Sequence, residues 1–449
     1  MSERFANYLI IGNSAAGVAA AERIRELDAD GSVLVVSREP HAAYGRPLIS
    51  YLVEGKTSLD RLDLKEKGFY ESRGIETLLG AQFEVVSLDA EAHEAFLSCG
   101  EKVRYGKCLL ATGSVPFVPP IEGISGRDNV FTFLSLDDAL AAQAAVDEAR
   151  VCAHAAGRAC RVLVIGGGLI GLKAAEAFCH HADDVVVLEL AERILPAVLD
   201  NEAAALLARM LDHHGISCRP GVSISELRGE GPCATTALLT TGEELDCDVV
   251  VAAVGVRPNS ALAVQAGAEQ GRGLVCGPDL QTSLPDVYAA GDVVQVTDVL
   301  DGSQRPLALW PNAVRQGKIA GSFMAGARDA EPFEGGFAVN AVDFFDVSLL
   351  TSGIINPSED AGCEVRTDIE GNAYAKFVTK DGLLVGYILL SRPENAGIYT
   401  ALIERRVPLV ALDAGLFDRA PLNLDFSAEA RWERLHALCP FGRDGKEEA

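Results

Sequence analysis

Tyr8-Leu9-Ile10-Ile11-Gly12-Asn13-Ser14-Ala15-Ala16-Gly17 reads as a buried strand that runs through a tight turn into a helix. Unbroken apolar residues suit a strand covered on both faces, and glycine with small neighbours suits a turn that opens a helix. The helix continues amphipathically through residues 18–27, and a second apolar strand follows at 33–36. The same grammar returns at Arg161-Val162-Leu163-Val164-Ile165-Gly166-Gly167-Gly168-Leu169-Ile170-Gly171, with a helix expected through His181 and a strand at 185–188. In such a unit the first glycine permits the turn and the second lets backbone approach a pyrophosphate. The third packs helix on strand, so that the helix N-terminus faces the phosphate.

The second copy is complete, with Leu169 and Ile170 inside its turn. Its next strand ends in Glu189, roughly 20 residues after the first glycine, where a carboxylate can take the ribose hydroxyls of NAD and repel a 2′-phosphate. The first copy has Ser14 in place of the middle glycine and Ser37 at the usual carboxylate position. Glu39, two residues on, is the replacement candidate.

The rest of the chain narrows the class. Its 449 residues, 49% hydrophobic and 23% charged, suit about three globular domains with sizeable cores. No apolar run approaches the roughly 18 residues of a membrane span, the longest being 249–256. With 39 basic against 64 acidic residues the formal charge is −25, which opposes nonspecific binding to nucleic acid or anionic membranes. Glu3 and Arg4 lead directly into the first strand, so no secretory signal is expected and the location is expected to be cytoplasmic. The 11 cysteines are scattered singly without any C-x-x-C, which suits reduced structural thiols and gives no support to a zinc site or a cysteine-ligated cluster.

Further motifs follow in order: Ala111-Thr112-Gly113-Ser114; Val254-Gly255-Val256-Arg257-Pro258-Asn259; Tyr288-Ala289-Ala290-Gly291-Asp292; and Trp310-Pro311-Asn312-Ala313 with Gln316-Gly317. Together with the two glycine turns they resemble the flavin-dependent pyridine nucleotide-disulfide oxidoreductase superfamily over residues 8 to about 326. The resemblance implies an α/β fold of two nested Rossmann-like domains and an α+β C-terminal interface domain that builds a homodimer. The implied boundaries are 1–118 and 257–328 for the FAD-binding domain, 119–256 for the NAD(H)-binding domain and 329–449 for the interface domain. Short β-like runs are expected at 338–350 and 375–390, and a helix at 431–438 in a tail longer than the resemblance implies. FAD would be held by Gly12, Ser14, Ala16, Gly17, Glu39, Arg46, Val85, Ala111, Thr112, Gly113, Gly291, Asp292, Trp310 and Ala313. NADH would be held by Gly166, Gly168, Leu169, Ile170, Gly171, Glu189 and Gly255. No metal is implied.

Within the resemblance one position departs in a way that bears on chemistry. Aligning Tyr51-Leu52-Val53-Glu54-Gly55 puts Pro47 where disulfide and peroxide reductases carry their redox cysteine, inside Tyr44-Gly45-Arg46-Pro47-Leu48, and no cysteine precedes Cys99. Without a thiolate beside the flavin, dithiol exchange and sulfenic-acid cycling lack their nucleophile. The segment instead resembles rubredoxin reductases and the flavin part of NADH-dependent nitrite reductases. Lys173 stands where a glutamate near the nicotinamide is usual. It is either a cation that favours reduced flavin or one half of a helix pair with Glu176. Lys173, Arg46 and Pro47 are the candidate catalytic residues. Trp310 either shields the flavin or guides an electron-transfer partner, or packs the interface domain; residues 137–150 read as an exposed-face helix, and His180-His181 and His213-His214 read as solvated pairs. The leading expectation is an NADH-dependent FAD reductase that passes electrons to a rubredoxin- or ferredoxin-type protein. The alternatives are an NADH oxidase using oxygen, or a flavoprotein subunit or NADH-sensing binder of a larger redox complex.

Overall fold

The computed structural model describes residues 3–411, so the helix expected at 431–438 lies outside the described residues. The chain divides into two compact units: Met1–Ala197 with Leu207–Phe337, and Val198–Leu206 with the residues from Ala338 onward.

The first unit is built on two sheets. β1 (Glu3–Ile11) turns at Gly12 into α1 (Ala15–Leu27), and β2 (Val33–Ser37) returns beside it. The short helix α2 (Ile49–Val53), β3 (Ile75–Leu79), the hairpin of β4 (Val85–Asp89) with β5 (Glu94–Leu97), and the long β6 (Lys102–Leu110) follow. The strand order is β3-β2-β1-β6, all parallel, with β5 antiparallel on the first half of β6. Leu9, Ile10, Val35, Leu109 and Leu110 lie at its buried centre, which is why these strands read as unbroken apolar runs.

The second sheet comprises β7 (Val130–Phe131), β8 (Arg161–Ile165), β9 (Asp184–Glu189), β10 (Ile216–Pro220) and β11 (Val249–Ala252). All five are parallel, in the order β10-β9-β8-β11-β7. Helix α3 (Leu136–Ala155) precedes β8, and α4 (Leu169–Phe178) lies between β8 and β9. A capping box starts α3: Ser135 accepts from the Asp138 N–H, and the Asp138 carboxylate accepts from the Ser135 N–H. Such a cap contributes about 1 kcal/mol.

The chain then goes back to the first sheet. β12 (Val287–Ala289) pairs in parallel with the second half of β6, through Cys108, Leu109 and Leu110. Helix α5 (Trp310–Met324) packs on α1, where a Cβ on Gly317 would lie 2.2 Å from the Ala16 carbonyl oxygen. Only glycine lets the two helix backbones meet that closely.

The second unit is an antiparallel sheet with one helix. β13 (Val339–Phe344), β14 (Val347–Gly353), β15 (Glu364–Glu370), β16 (Ala373–Lys380) and β17 (Leu383–Leu390) are ordered β13-β14-β17-β16-β15. Helix α6 (Ala396–Glu404) packs Tyr399 on Phe377 at 4.9 Å between ring centres. Asp200 accepts from the Tyr374 hydroxyl at 2.6 Å and from the Lys376 ammonium at 2.9 Å. The architecture is thus two nested Rossmann-like folds and an α+β unit. Among the described residues no helix is long and apolar enough to cross a membrane.

Candidate active site

The two glycine turns have the same construction. Gly12 and Gly166 take positive φ values of 119° and 108°. Each donates its N–H across the sheet, to Val36 O and Leu188 O respectively, at 2.8 Å. A Cβ would lie 2.1 Å from Ala111 O in the first and 2.4 Å from Ala253 O in the second, so the residue just past the end of a neighbouring strand closes each turn. Gly17 and Gly171 would clash with the carbonyls of Gly12 and Gly166 at 2.0 and 1.9 Å, which brings each helix start down onto its turn. Beyond Gly168 there is open space. Ser14, its counterpart, is the N-cap of α1 yet makes no side-chain cap. Each turn therefore offers a helix N-terminus, the second with open space at Gly168 and the first with an unengaged Ser14 cap, and both fit a pyrophosphate.

Glu189 closes the second turn from the strand end. Its carboxylate accepts from the N–H groups of Gly167 at 2.6 Å and Ala191 at 2.7 Å, which fixes an anion beside the place where ribose would lie. Glu39, the candidate in the first turn, is engaged differently. One oxygen accepts from the Tyr44 hydroxyl at 2.7 Å and the other from Arg46 at 2.6 Å.

Those bonds organise the segment around Pro47. The Tyr44 hydroxyl also accepts from the Leu136 N–H at 3.0 Å, satisfying a donor at the start of α3, while Arg46 donates to Leu134 O at 3.1 Å. Burial opposes the charge on Arg46, but Tyr44, Glu39 and Asp292 outweigh it and hold the guanidinium protonated. Asp292 itself is pushed up by burial, against a hydrogen bond from Ser114 at 3.1 Å and the charge of Arg46. A half-buried carboxylate with so few donors suits a polar ligand group such as the ribitol hydroxyls of FAD.

Gly291, Ala313 and the 111–114 segment lie against the first turn, whereas Gly255 follows the stretch that closes the second. Gly291 donates to the buried Gln316 side chain at 2.7 Å, and a Cβ on Gly291 would lie 3.3 Å from the Ala16 methyl and 3.8 Å from that of Ala313. Thr112 donates to Asn259 O at 2.7 Å, and the Asn259 N–H returns to Gly113 O. Gly255 O accepts from the Phe117 N–H, so the turns at 111–114 and 254–259 are bound to one another. Trp310 opens α5 and packs partly against the first core, and Val85 is buried in that core.

Lys173 is not a solitary cation. Its ammonium pairs with Glu176, as the helical spacing allows, and also lies 3.4 Å from Glu54 at the end of α2. Lys56 reaches Glu54 at 2.5 Å and Glu176 at 3.5 Å. The Lys173 ammonium sits 4.5 Å from the centre of the Tyr51 ring. Sequence reasoning missed Glu54, because its contact with Lys173 comes from a helix more than 100 residues away, and only Lys56 is a local partner. His181 likewise corrects the expectation of a solvated pair: it is held at 2.7 Å by Asp147 and at 2.8 Å by Val53 O, which pins the end of α2.

Pro47 is the middle residue of a short 3₁₀ turn, Arg46–Leu48. Ten free cysteines lie among the described residues, the first of them at Cys99. Burial pushes Cys160 and Cys179 up to about 11 and Cys218, Cys247 and Cys276 up to about 12, so these thiols stay protonated at neutral pH.

The pyridine nucleotide-disulphide oxidoreductase profile matches residues 6–317, spanning both glycine turns and the first half of the helix at Trp310. The chain belongs to that family. It is an FAD-dependent NAD(P)H oxidoreductase, with FAD and NADH as its cofactors. Among relatives of this oxidoreductase, the epsilon subunit of NADH-dependent phenylglyoxylate dehydrogenase from Aromatoleum evansii is 30% identical, over 90% of this chain and 93% of that one. Two solved structures are 26% identical. A NAD-dependent persulfide reductase from A. fulgidus has a TM-score of 0.79, covering 89% of this chain and 77% of that one. A ferredoxin reductase for the CYP199A2 system from Rhodopseudomonas palustris has a TM-score of 0.75, covering 86% and 91%.

Proposed function

We propose that this oxidoreductase carries electrons from NADH through FAD to a small one-electron iron protein of the ferredoxin or rubredoxin type. The observation that carries the reading is Pro47. The place where a thiol-dependent relative would keep its nucleophile holds a residue with no side-chain chemistry, and Arg46 and Tyr44 lock that segment to Glu39 and α3. Flavin supplies the chemistry that suits such a handover, taking two electrons as hydride and releasing them singly. The likeness to the ferredoxin reductase of Rhodopseudomonas palustris supports the acceptor class.

In this reading residues 1–118 and 257–328 form the FAD-binding domain and 119–256 the NAD(H)-binding domain. Gly12, Ser14 and Gly17 receive the flavin pyrophosphate, Asp292 the ribitol, and Ala16, Ala111, Thr112, Gly113, Gly291, Trp310 and Ala313 shape the walls. Gly166, Gly168 and Gly171 receive the NADH pyrophosphate, with Glu189 on the ribose. The five-stranded sheet of residues 339–390 is the surface through which two copies pair.

The test is anaerobic reduction by NADH in a stopped-flow instrument, followed by mixing with rubredoxins, ferredoxins, disulfides, polysulfide and oxygen. Fast reoxidation by an iron protein, unchanged after iodoacetamide treatment, is expected. Reoxidation only by disulfide or polysulfide, abolished by alkylation, would overturn the proposal. A second reading is favoured by the Aromatoleum relative, which is a subunit over nearly its whole matched length: the chain serves as the NADH-reactive subunit of a larger dehydrogenase. Co-purification with iron–sulfur subunits would support that arm.

A further inference from the structure

The loop that follows Glu189 is fixed at its start, in its middle and at its end. At the start the Gly221 N–H donates to Ala191 O at 2.8 Å and the Val222 N–H to Glu189 O at 3.0 Å. In the middle the Leu195 N–H donates to Gly167 O at 2.8 Å, while the Gly167 N–H donates to the Glu189 carboxylate at 2.6 Å. Gly167 is thus held at both its N–H and its carbonyl, inside the turn of the second cradle. Leu195 is buried at a φ of 50°, a left-handed conformation that a leucine keeps only where its surroundings hold it there.

The end of the loop is held by the second unit. Residues 198–206 belong to that unit, although the chain on either side of them belongs to the first. The Asn356 side-chain amide donates to Leu199 O at 2.9 Å. One Asp200 oxygen takes the Tyr374 hydroxyl and the Lys376 ammonium, and the other accepts from the Ala203 N–H at 3.0 Å, capping the helix Asn201–His213. The Lys376 side chain is 9% exposed and that of Asp200 15%, so the pair is well removed from water. Burial opposes the Asp200 charge, but Tyr374, the Ala203 N–H and Lys376 outweigh it and hold the carboxyl below its ordinary range. Asn356, Tyr374 and Lys376 have no part in either cradle as assigned.

We propose that Asn356, Tyr374 and Lys376 are positioning residues for NADH. By holding residues 199 and 200 they keep Leu195 in its left-handed turn, and through Leu195 and Gly167 they keep the Glu189 carboxylate and the second turn in the form that takes the ribose and pyrophosphate. This rests on the NADH cradle assignment under Proposed function. With its end released, the loop lets Leu195 relax to a negative φ and give up its bond to Gly167, and NADH must then order the loop as it binds. The loss falls on binding, because the groups involved lie away from the reacting atoms.

The experiment titrates the oxidised, flavin-loaded full chain with NAD+ by calorimetry and measures KM and kcat for NADH with a dye as acceptor. Lys376→Met and Asn356→Ala are each expected to raise the Kd for NAD+ and the KM for NADH about threefold or more, with kcat and flavin content unchanged. Lys376→Arg, which keeps the charge and the donors, should stay nearer the parent than Lys376→Met. Amide exchange read by mass spectrometry should quicken over residues 190–199 in both variants. A merely structural role would lower the melting temperature without separating KM from kcat. Should Lys376→Met fail to fold, Asn356→Ala carries the same prediction, because it removes no charge. Glu189→Ala is the control for the cradle itself. If it weakens NAD+ binding while Lys376→Met and Asn356→Ala bind as the parent does, the positioning role is overturned and the cradle stands. If Glu189→Ala binds NAD+ as the parent does, the cradle assignment and this proposal fall together.

Discussion

Gly12 lies under a carbonyl that leaves no room for a Cβ, at a φ of 119°. A side chain there adds strain of about 1–3 kcal/mol and moves Ala111 or the turn itself. Gly12→Val is therefore expected to purify without its flavin, read as the ratio of 450 to 280 nm absorbance, while NADH still protects the second turn from proteolysis. Retention of full flavin would refute the assignment of the first turn. Glu189 makes the matching prediction for the second turn. Its carboxylate is oriented by Gly167 and Ala191, and a charged hydrogen bond of that kind contributes about 1.5–3 kcal/mol. Glu189→Ala should lower kcat/KM for NADH about tenfold or more and narrow its margin over NADPH. An unchanged preference in steady-state kinetics would remove Glu189 from the ribose.

Helix α1 depends on what it meets at each end and along its length. Gly317→Val would drive side-chain atoms into the Ala16 carbonyl, so α5 must move off α1. Because α5 begins at Trp310 and carries Ala313 beside Gly291, both a lower melting temperature and weaker flavin retention are expected from calorimetry and flavin release. At the exit of α1, Asp28 accepts from the Gly31 N–H at 2.8 Å, the Tyr8 hydroxyl at 2.8 Å and the Asp30 N–H at 3.0 Å, and the Gly31 and Tyr8 bonds hold its carboxyl below the ordinary range. A carboxyl depressed in the folded state adds stability above its unfolded pKa of about 3.9, and that stability fades as pH falls through the folded value. Urea midpoints measured from pH 6 down to pH 3 should therefore fall, and Asp28→Asn should be less stable at pH 6 but lose less on acidification. Parallel curves for the two proteins would contradict this. The strands and turns of both halves were legible in the sequence because their causes are local: a glycine with positive φ, a run of apolar residues, a carboxylate at a strand end. The engagement of Glu39 by Tyr44 and Arg46, the quartet around Lys173 and the clamp on His181 were not. The last two depend on groups far apart in the chain, and helical spacing suggested only the Lys173–Glu176 pair; Glu39, Tyr44 and Arg46 are close in sequence, but they lie in an irregular segment where no helix or strand period says which side chains meet.

At the scale of the whole molecule the formal charge of −25 acts on every anionic partner. An acidic electron carrier is repelled over about 10 Å at 0.1 M salt, so its association rate should rise as salt is added from a few millimolar upward. Stopped-flow reoxidation across a salt series checks this, and a rate that falls with salt would reveal a local basic docking face. The return of the chain through β12 bears on synthesis rather than on catalysis. The second parallel sheet uses only residues 130–252, whereas the first waits for Val287–Ala289 to fill the place beside β6. A ribosome making this protein therefore exposes the flank of β6 for well over a hundred residues of translation. The sheet of residues 130–252 can fold before the sheet that begins at residue 3 is finished, which reverses the usual N-terminal-first order.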